Sequence, residues 1–121
     1  MDSGATLALS TDYNPGSSSG LSMQTVMQTA ARLYRLSYAE IWHMCTINAA
    51  AALDREDHVG SIEPGKRANL VIRQVPAHGM VIHRFGENLV DSVLVDGEVA
   101  VAGRAARNSE TAPTSAPATV G

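Results

Sequence analysis

The 121 residues carry a formal net charge of −3, are 45% hydrophobic, and include a single Phe, Trp and Cys. That length allows one small domain and falls well short of the roughly 250 residues of a complete (β/α)₈ barrel. The absence of a basic run argues against a nucleic-acid surface, and one cysteine excludes an internal disulfide. No stretch approaches a membrane span and no charged, apolar leader opens the chain, so a cytoplasmic protein is the expectation.

Four zones follow in chain order. In residues 1–20, the apolar run Ala5 to Leu9 precedes a Pro/Gly/Ser-rich stretch and predicts a buried strand breaking into a loop. Residues 21–58 predict helices. Met23, Val26, Met27, Ala30, Leu33 and Tyr34 recur at three- and four-residue spacing. Ser37 and Glu40 fit a capping box, and Leu36 and Ile41 a hydrophobic staple. Thr46 is placed to cap a third helix, Ile47 to Leu53, rich in alanine.

Residues 59–103 are β-like. Gly60 to Gly65 is turn chemistry, and the adjacent Lys66-Arg67 reads as a solvated basic pair. Leu70 to Val75 predicts a strand ended by Pro76. Ser92–Val95 and Glu98–Val101 flank Asp96-Gly97, a two-residue hairpin signal. Residues 104–121, poor in large apolar side chains, predict a disordered tail. One apolar strand, a group of helices and a few late strands do not complete a layered architecture. The first strand needs sheet neighbours that these residues do not supply.

Chemistry is concentrated in Asp12-Tyr13-Asn14-Pro15-Gly16-Ser17. A carboxylate at the mouth of a strand can ligate a metal or take a proton from water. Turn statistics alone favour the other reading, in which Asp12 or Asn14 bonds its own loop backbone. His43, His58, His78 and His83 show no His-x-His spacing. His43 falls on a helix, and His58 and His78 read as loop residues. Cys45 reads as a small buried hydrophobe without a base to activate it. Met23 and Met27 read as core facing an absent layer, with Trp42 at the same interface.

The stretch Leu9 to Ser17 resembles the loop after the last barrel strand of the imidazolonepropionase family of amidohydrolases. Three further segments agree in order: Thr46 to Leu53, the turn and strand Gly60 to Val71, and His83-Arg84-Phe85-Gly86-Glu87-Asn88. The Gly60 turn marks amidohydrolases in general, whereas the Asp12 loop together with His83–Asn88 points to the narrower family. Asn69 departs from the family's usual Asp. The resemblance covers residues 5 to about 101. It implies an α/β fold, in which this chain is a C-terminal fragment: the last strand and helices of a TIM barrel plus part of a composite β-sandwich.

By position, the resemblance makes Asp12 the catalytic and metal-ligating carboxylate. Asn14, Gly16 and Ser17 become substrate-binding residues. It further implies one zinc or iron ion, a His-x-His pair and another His from outside these residues, and a homodimer of the full-length protein. The substrate would be the small molecule 4-imidazolone-5-propionate, hydrolysed to N-formimino-L-glutamate in histidine degradation, with the fragment inactive by itself. Two other readings stay open: a non-catalytic assembly module, suggested by apolar surface left without cover, and the tail of another amidohydrolase such as a deaminase.

Overall fold

The computed structural model describes residues 4–103. The tail expected over residues 104–121 lies outside them. The described chain has a helical layer followed by a small sheet. Helices α1 (Met23–Tyr34), α2 (Tyr38–Cys45) and α3 (Ile47–Ala51) come first. Then follow β1 (Leu70–Arg73), the short helix α4 (Gly79–His83), β2 (Val90–Val95) and β3 (Glu98–Val101).

Local chemistry explains the helix boundaries. The Ser22 side chain accepts the Thr25 backbone N–H at the start of α1, and Arg35 leaves that helix in the left-handed region. At α2 the predicted capping box is complete, since Ser37 Oγ accepts the Glu40 N–H while Glu40 Oε2 accepts the Ser37 N–H at 2.8 Å. The Ser37 hydroxyl, which donates to Glu40 Oε2 at 2.6 Å, and then the Ser37 N–H hold the Glu40 carboxyl below its ordinary pKa. Leu36 packs against the core cluster that contains Ile41, as a staple requires. Thr46 departs from expectation. It occupies the cap position of α3 but makes no side-chain cap bond, and its hydroxyl donates back to the Trp42 carbonyl at 2.7 Å.

The core is small and lies between α1, α2 and α4. Met27, Ile41 and Ile82 form its buried cluster, with Leu9, Leu36, Trp42 and Cys45 packed around it. Met27 is therefore covered from within the chain, contrary to the expectation of an absent layer there. The cover is α4, a short helix inside the zone that composition predicts to be β-like. Two polar side chains are buried with this core, Gln24 and Gln28, one helical turn apart on α1. Gln28 Nε2 donates to the carbonyls of Val81 (3.1 Å) and Arg84 (2.5 Å), and Gln24 Nε2 to that of Glu87 (2.6 Å). Arg32, a further turn along, donates to the carbonyl of His83 at 3.5 Å and stacks over Phe85 at 5.1 Å. The last carbonyls of a helix have no intrahelical partner. Here the side chains of α1 supply the donors for α4.

The sheet has the order β1-β2-β3 with both pairings antiparallel. β1 is two residues shorter than predicted and β2 starts two residues earlier, at Val90, while β3 matches its predicted span. Asp96 and Gly97 both have positive φ, 52° and 86°. That is the requirement of a type I′ hairpin turn. Arg67 grips Asp96 through two bonds of 2.6 and 2.5 Å, and Asn69 Oδ1 accepts the Asp96 N–H at 2.8 Å. An amide oxygen thus does at position 69 what a carboxylate oxygen could. The predicted solvated basic pair is not free: Lys66 Nζ bonds Ser61 Oγ at 2.6 Å and pairs with Glu63 at 3.2 Å.

Both sheet faces carry apolar cross-strand rows, Val71–Val93–Val101 and Leu70–Leu94–Val99. Val71 is 51% exposed and Val99 64%. A sheet apolar on both faces is built to be covered on both. The predicted buried strand at Ala5–Leu9 is a correction: the segment pairs with no strand among the described residues, and most of it is exposed. Leu9 N–H donates to the Met44 carbonyl (3.0 Å) and Asn48 Nδ2 to the Leu7 carbonyl (2.9 Å).

Replacing Gln28 by Met keeps the volume but strips the Val81 and Arg84 carbonyls of their donor. The expected loss is about 1–3 kcal/mol, measured by urea unfolding. An unchanged midpoint would show that α4 does not depend on this bond.

Candidate functional site

The loop expected to carry chemistry is organised by Asn14. Its Oδ1 accepts the backbone N–H groups of Gly16 (2.9 Å) and Ser17 (2.8 Å) and the Ser17 hydroxyl (3.2 Å). Its Nδ2 donates to the Asp12 carbonyl at 2.7 Å. Asn14 N–H donates to the Ser18 carbonyl (2.8 Å), and Ser18 Oγ returns a bond to the Thr11 carbonyl (2.7 Å). Both ends of the amide and both chain arms are thereby tied. This is the Asx-turn reading, realised at Asn14.

Asp12 is placed differently. Its φ of 47° lies in the left-handed region, uncommon for a residue with a side chain. This conformation turns its carbonyl inward to Asn14. The residue is exposed. Asp12, Asn14, Gly16 and Ser17 are thus brought into one loop, with Asn14 and Ser17 committed to it and the Asp12 carboxylate outside that bonding.

The histidines do not join this loop. His43 is exposed on α2, His58 sits in a turn, His78 precedes α4 and His83 ends it, exposed. Among the described residues no three of His, Cys, Asp and Glu gather closely enough to hold a metal ion. A catalytic zinc site takes three protein ligands and an open position. The described donors do not by themselves make up such a site.

A separate open cleft of about 830 Å³ lies between the helical layer and β1. Trp42, Cys45, Leu53, Ile62, Val71 and Arg73 are among the residues lining it, and none of the four predicted site residues does so. The guanidinium of Arg73 lies 6.0 Å over the Trp42 ring and donates to Gln24 Oε1 at 3.1 Å. Burial pushes its pKa down. Trp42 Nε1 is buried without a hydrogen-bond partner among the described residues. Sequence reasoning missed this group, and with it the Gln24, Gln28 and Arg32 donors. The available signal was polar residues at four-residue intervals beside an otherwise apolar helix stripe.

A model described as "Amidohydrolase family" matches residues 1–100, a span that includes the Asp12 loop, the helical layer and most of the sheet. The chain belongs to the amidohydrolase family. Among curated relatives, an imidazolonepropionase of Staphylococcus aureus is 44% identical over 101 residues, covering 84% of this chain and 24% of the relative. An imidazolonepropionase of Fusobacterium nucleatum is 40% identical over 99 residues, covering 82% and 24%. A solved adenosine deaminase of Xanthomonas campestris with bound zinc superimposes with a TM-score of 0.62 at 27% identity, covering 68% of this chain and 23% of that one. The chain therefore spans about a quarter of the length of the curated relatives it matches. Its mixed helix and strand content agrees with the expected α/β class.

Cys45 supports its reading as a packed hydrophobe. Burial pushes its thiol up to about 11, from an ordinary value of 9.0. Two pH units in thiolate population predict alkylation by iodoacetamide at about pH 8 roughly a hundredfold slower than in the urea-unfolded chain. Equal rates in the two states would contradict the buried placement.

Proposed function

We propose that this chain supplies the closing part of an imidazolonepropionase-type hydrolase. The reaction is addition of water to the ring carbonyl of 4-imidazolone-5-propionate and cleavage of the ring C–N bond. The product is N-formimino-L-glutamate, an intermediate of histidine degradation. The observation that carries this reading is the identity of 40–44% to proteins named imidazolonepropionase over more than four-fifths of the chain. The deaminase likeness is lower, at 27%, and supports the shared architecture.

In this proposal residues 1–20 are the last barrel strand and its loop, and residues 21–58 pack on the barrel. Residues 59–103 form part of a composite β-sandwich. The apolar, unpaired segment Ala5–Leu9 and the doubly apolar sheet support that division. Each has the composition of an inner element and lacks its neighbours among the described residues.

Asp12 is the residue assigned to catalysis, as a metal-ligating carboxylate that also takes a proton from water. Its freedom from the loop's hydrogen bonds supports this. Asn14, Gly16 and Ser17 are assigned to substrate, with one refinement from the geometry. Asn14 acts first on the loop, holding Gly16 and Ser17 in a tight turn. What remains for substrate is the second Nδ2 hydrogen of Asn14 and the acceptor lone pairs of the Ser17 hydroxyl, whose proton is given to Asn14. The family's zinc or iron would draw its imidazole ligands from outside the described residues, so this chain alone is inactive. A cytoplasmic location and a homodimer of the full-length protein complete the proposal. No described helix is long and apolar enough to cross a membrane.

Coexpression tests the assignment. The chain would be paired with the portion of the Staphylococcus aureus relative that it does not match. Ring opening, followed by loss of substrate absorbance, is expected only with both parts present. Asp12→Asn should then lower turnover by at least about a hundredfold, the scale of a lost proton acceptor. Turnover by this chain alone, or an Asp12→Asn pair as active as its parent, would refute the proposal.

A further inference from the structure

We propose that Ser18, which the family resemblance leaves without a role, is a positioning residue for the Asp12 carboxylate. Its hydroxyl holds the peptide unit before Asp12 and so fixes the direction in which that side chain leaves the backbone. The catalytic part of this assignment rests on the hydrolase reading; its geometric part rests on this chain alone.

A residue's φ and ψ set the two peptide planes on either side of its Cα, so holding both planes also holds the Cα–Cβ direction. Both planes beside Asp12 are held, each by a different side chain. Ser18 Oγ donates to the Thr11 carbonyl at 2.7 Å and fixes the unit before Asp12. Asn14 Nδ2 donates to the Asp12 carbonyl at 2.7 Å and fixes the unit after it. Between these clamps Asp12 has a φ of 47°, where Cβ crowds a backbone oxygen. The loop imposes that conformation while the exposed carboxylate stays outside the loop's own bonding.

Closure of the loop places Ser18 for this task. Its carbonyl accepts the Asn14 N–H at 2.8 Å, and the two residues form an antiparallel bridge. The residues that clamp Asp12 therefore also clamp each other. The bond from Ser18 to Thr11 is partly buried, so its loss would leave a carbonyl only partly open to water. Ser17 differs: its hydroxyl gives its proton to the Asn14 side chain and bonds neither plane beside Asp12. Of the three consecutive serines 17–19, one orders the turn, one aims the carboxylate, and Ser19 is exposed. Strained backbone held by its surroundings is a known means of pre-aiming a reacting group. A displacement of about 1 Å can cost such a group about a hundredfold in rate.

Two measurements test Ser18. A positive φ brings a residue's own amide and α protons close together, so Asp12 in the whole isotope-labelled chain should give a strong intraresidue NOE. Ser18→Ala should lose that signal while the contacts among Met27, Ile41 and Ile82 persist. Ser18→Thr, which keeps the hydroxyl, should retain it. In the coexpressed pair, Ser18→Ala should lower kcat about tenfold to a hundredfold and leave KM within about a factor of two. Beside Asp12→Asn the same change should cost almost nothing more, because no carboxylate is left to aim. A mere loss of folded protein would instead multiply onto the Asp12→Asn effect. Ser19→Ala should match the parent throughout.

No strong Asp12 NOE in the parent, a strong one surviving in Ser18→Ala, or equal losses in Ser18→Thr or Ser19→Ala overturns the proposal. So does a kcat unchanged by Ser18→Ala, or a penalty undiminished beside Asp12→Asn. A parent pair without turnover would refute the hydrolase reading instead, and the NOE would then decide the role of Ser18 by itself.

Discussion

The polar contact between α1 and α4 is the constraint on which the described fold rests. A five-residue helix has too few internal bonds to stand alone, and α4 brings the buried Val81 and Ile82 to the core. Gln24, Gln28 and Arg32 repeat once per turn along α1 and meet the carbonyls at the end of α4 and in the loop beyond. Because these donors share the helix that carries Met27, the apolar cluster and the polar ladder register each other. Sliding α4 by one residue would strand buried carbonyls and misplace Ile82 together. Buried amides of this kind cost free energy unless satisfied, and so they select one arrangement.

From that junction the consequences run outward. Gln24 also accepts from Arg73, which ties the helical layer to the edge of the sheet through a single amide. α2, packed on the same core, holds the incoming segment through the Met44 carbonyl and thereby fixes where the Asp12 loop begins. The loop's own shape is then local, set by Asn14. The chain thus presents a shaped loop and a sheet edge that no described strand covers. It belongs to the amidohydrolase family and spans about a quarter of the relatives' length.

Features governed by near neighbours were legible in the sequence. The Ser37–Glu40 box, the Asp96-Gly97 hairpin and the span of β3 depend on residues a few positions apart, and each stands where predicted. The Asp12 motif was legible as a turn-forming loop. Features governed by distant partners were not. The segment Ala5–Leu9 has strand composition, but pairing requires a second strand, and composition carries no information on whether one is present. α4 was hidden because Gly79 and the β-branched Val81 and Ile82 are poor helix formers; tertiary donors from α1 override that preference. Thr46 had the right residue type for a cap, yet its hydroxyl found the Trp42 carbonyl instead.

Native-state hydrogen exchange resolved by residue tests the central claim most directly. If the shared core and its polar ladder organise the chain, the slowest amides lie in α1 and α2 around Met27 and Ile41. The α4 amides should exchange with them as one unit, while the outward amides of β1 exchange fast. Slow exchange along the whole of β1, with α4 opening independently of α1, would contradict it.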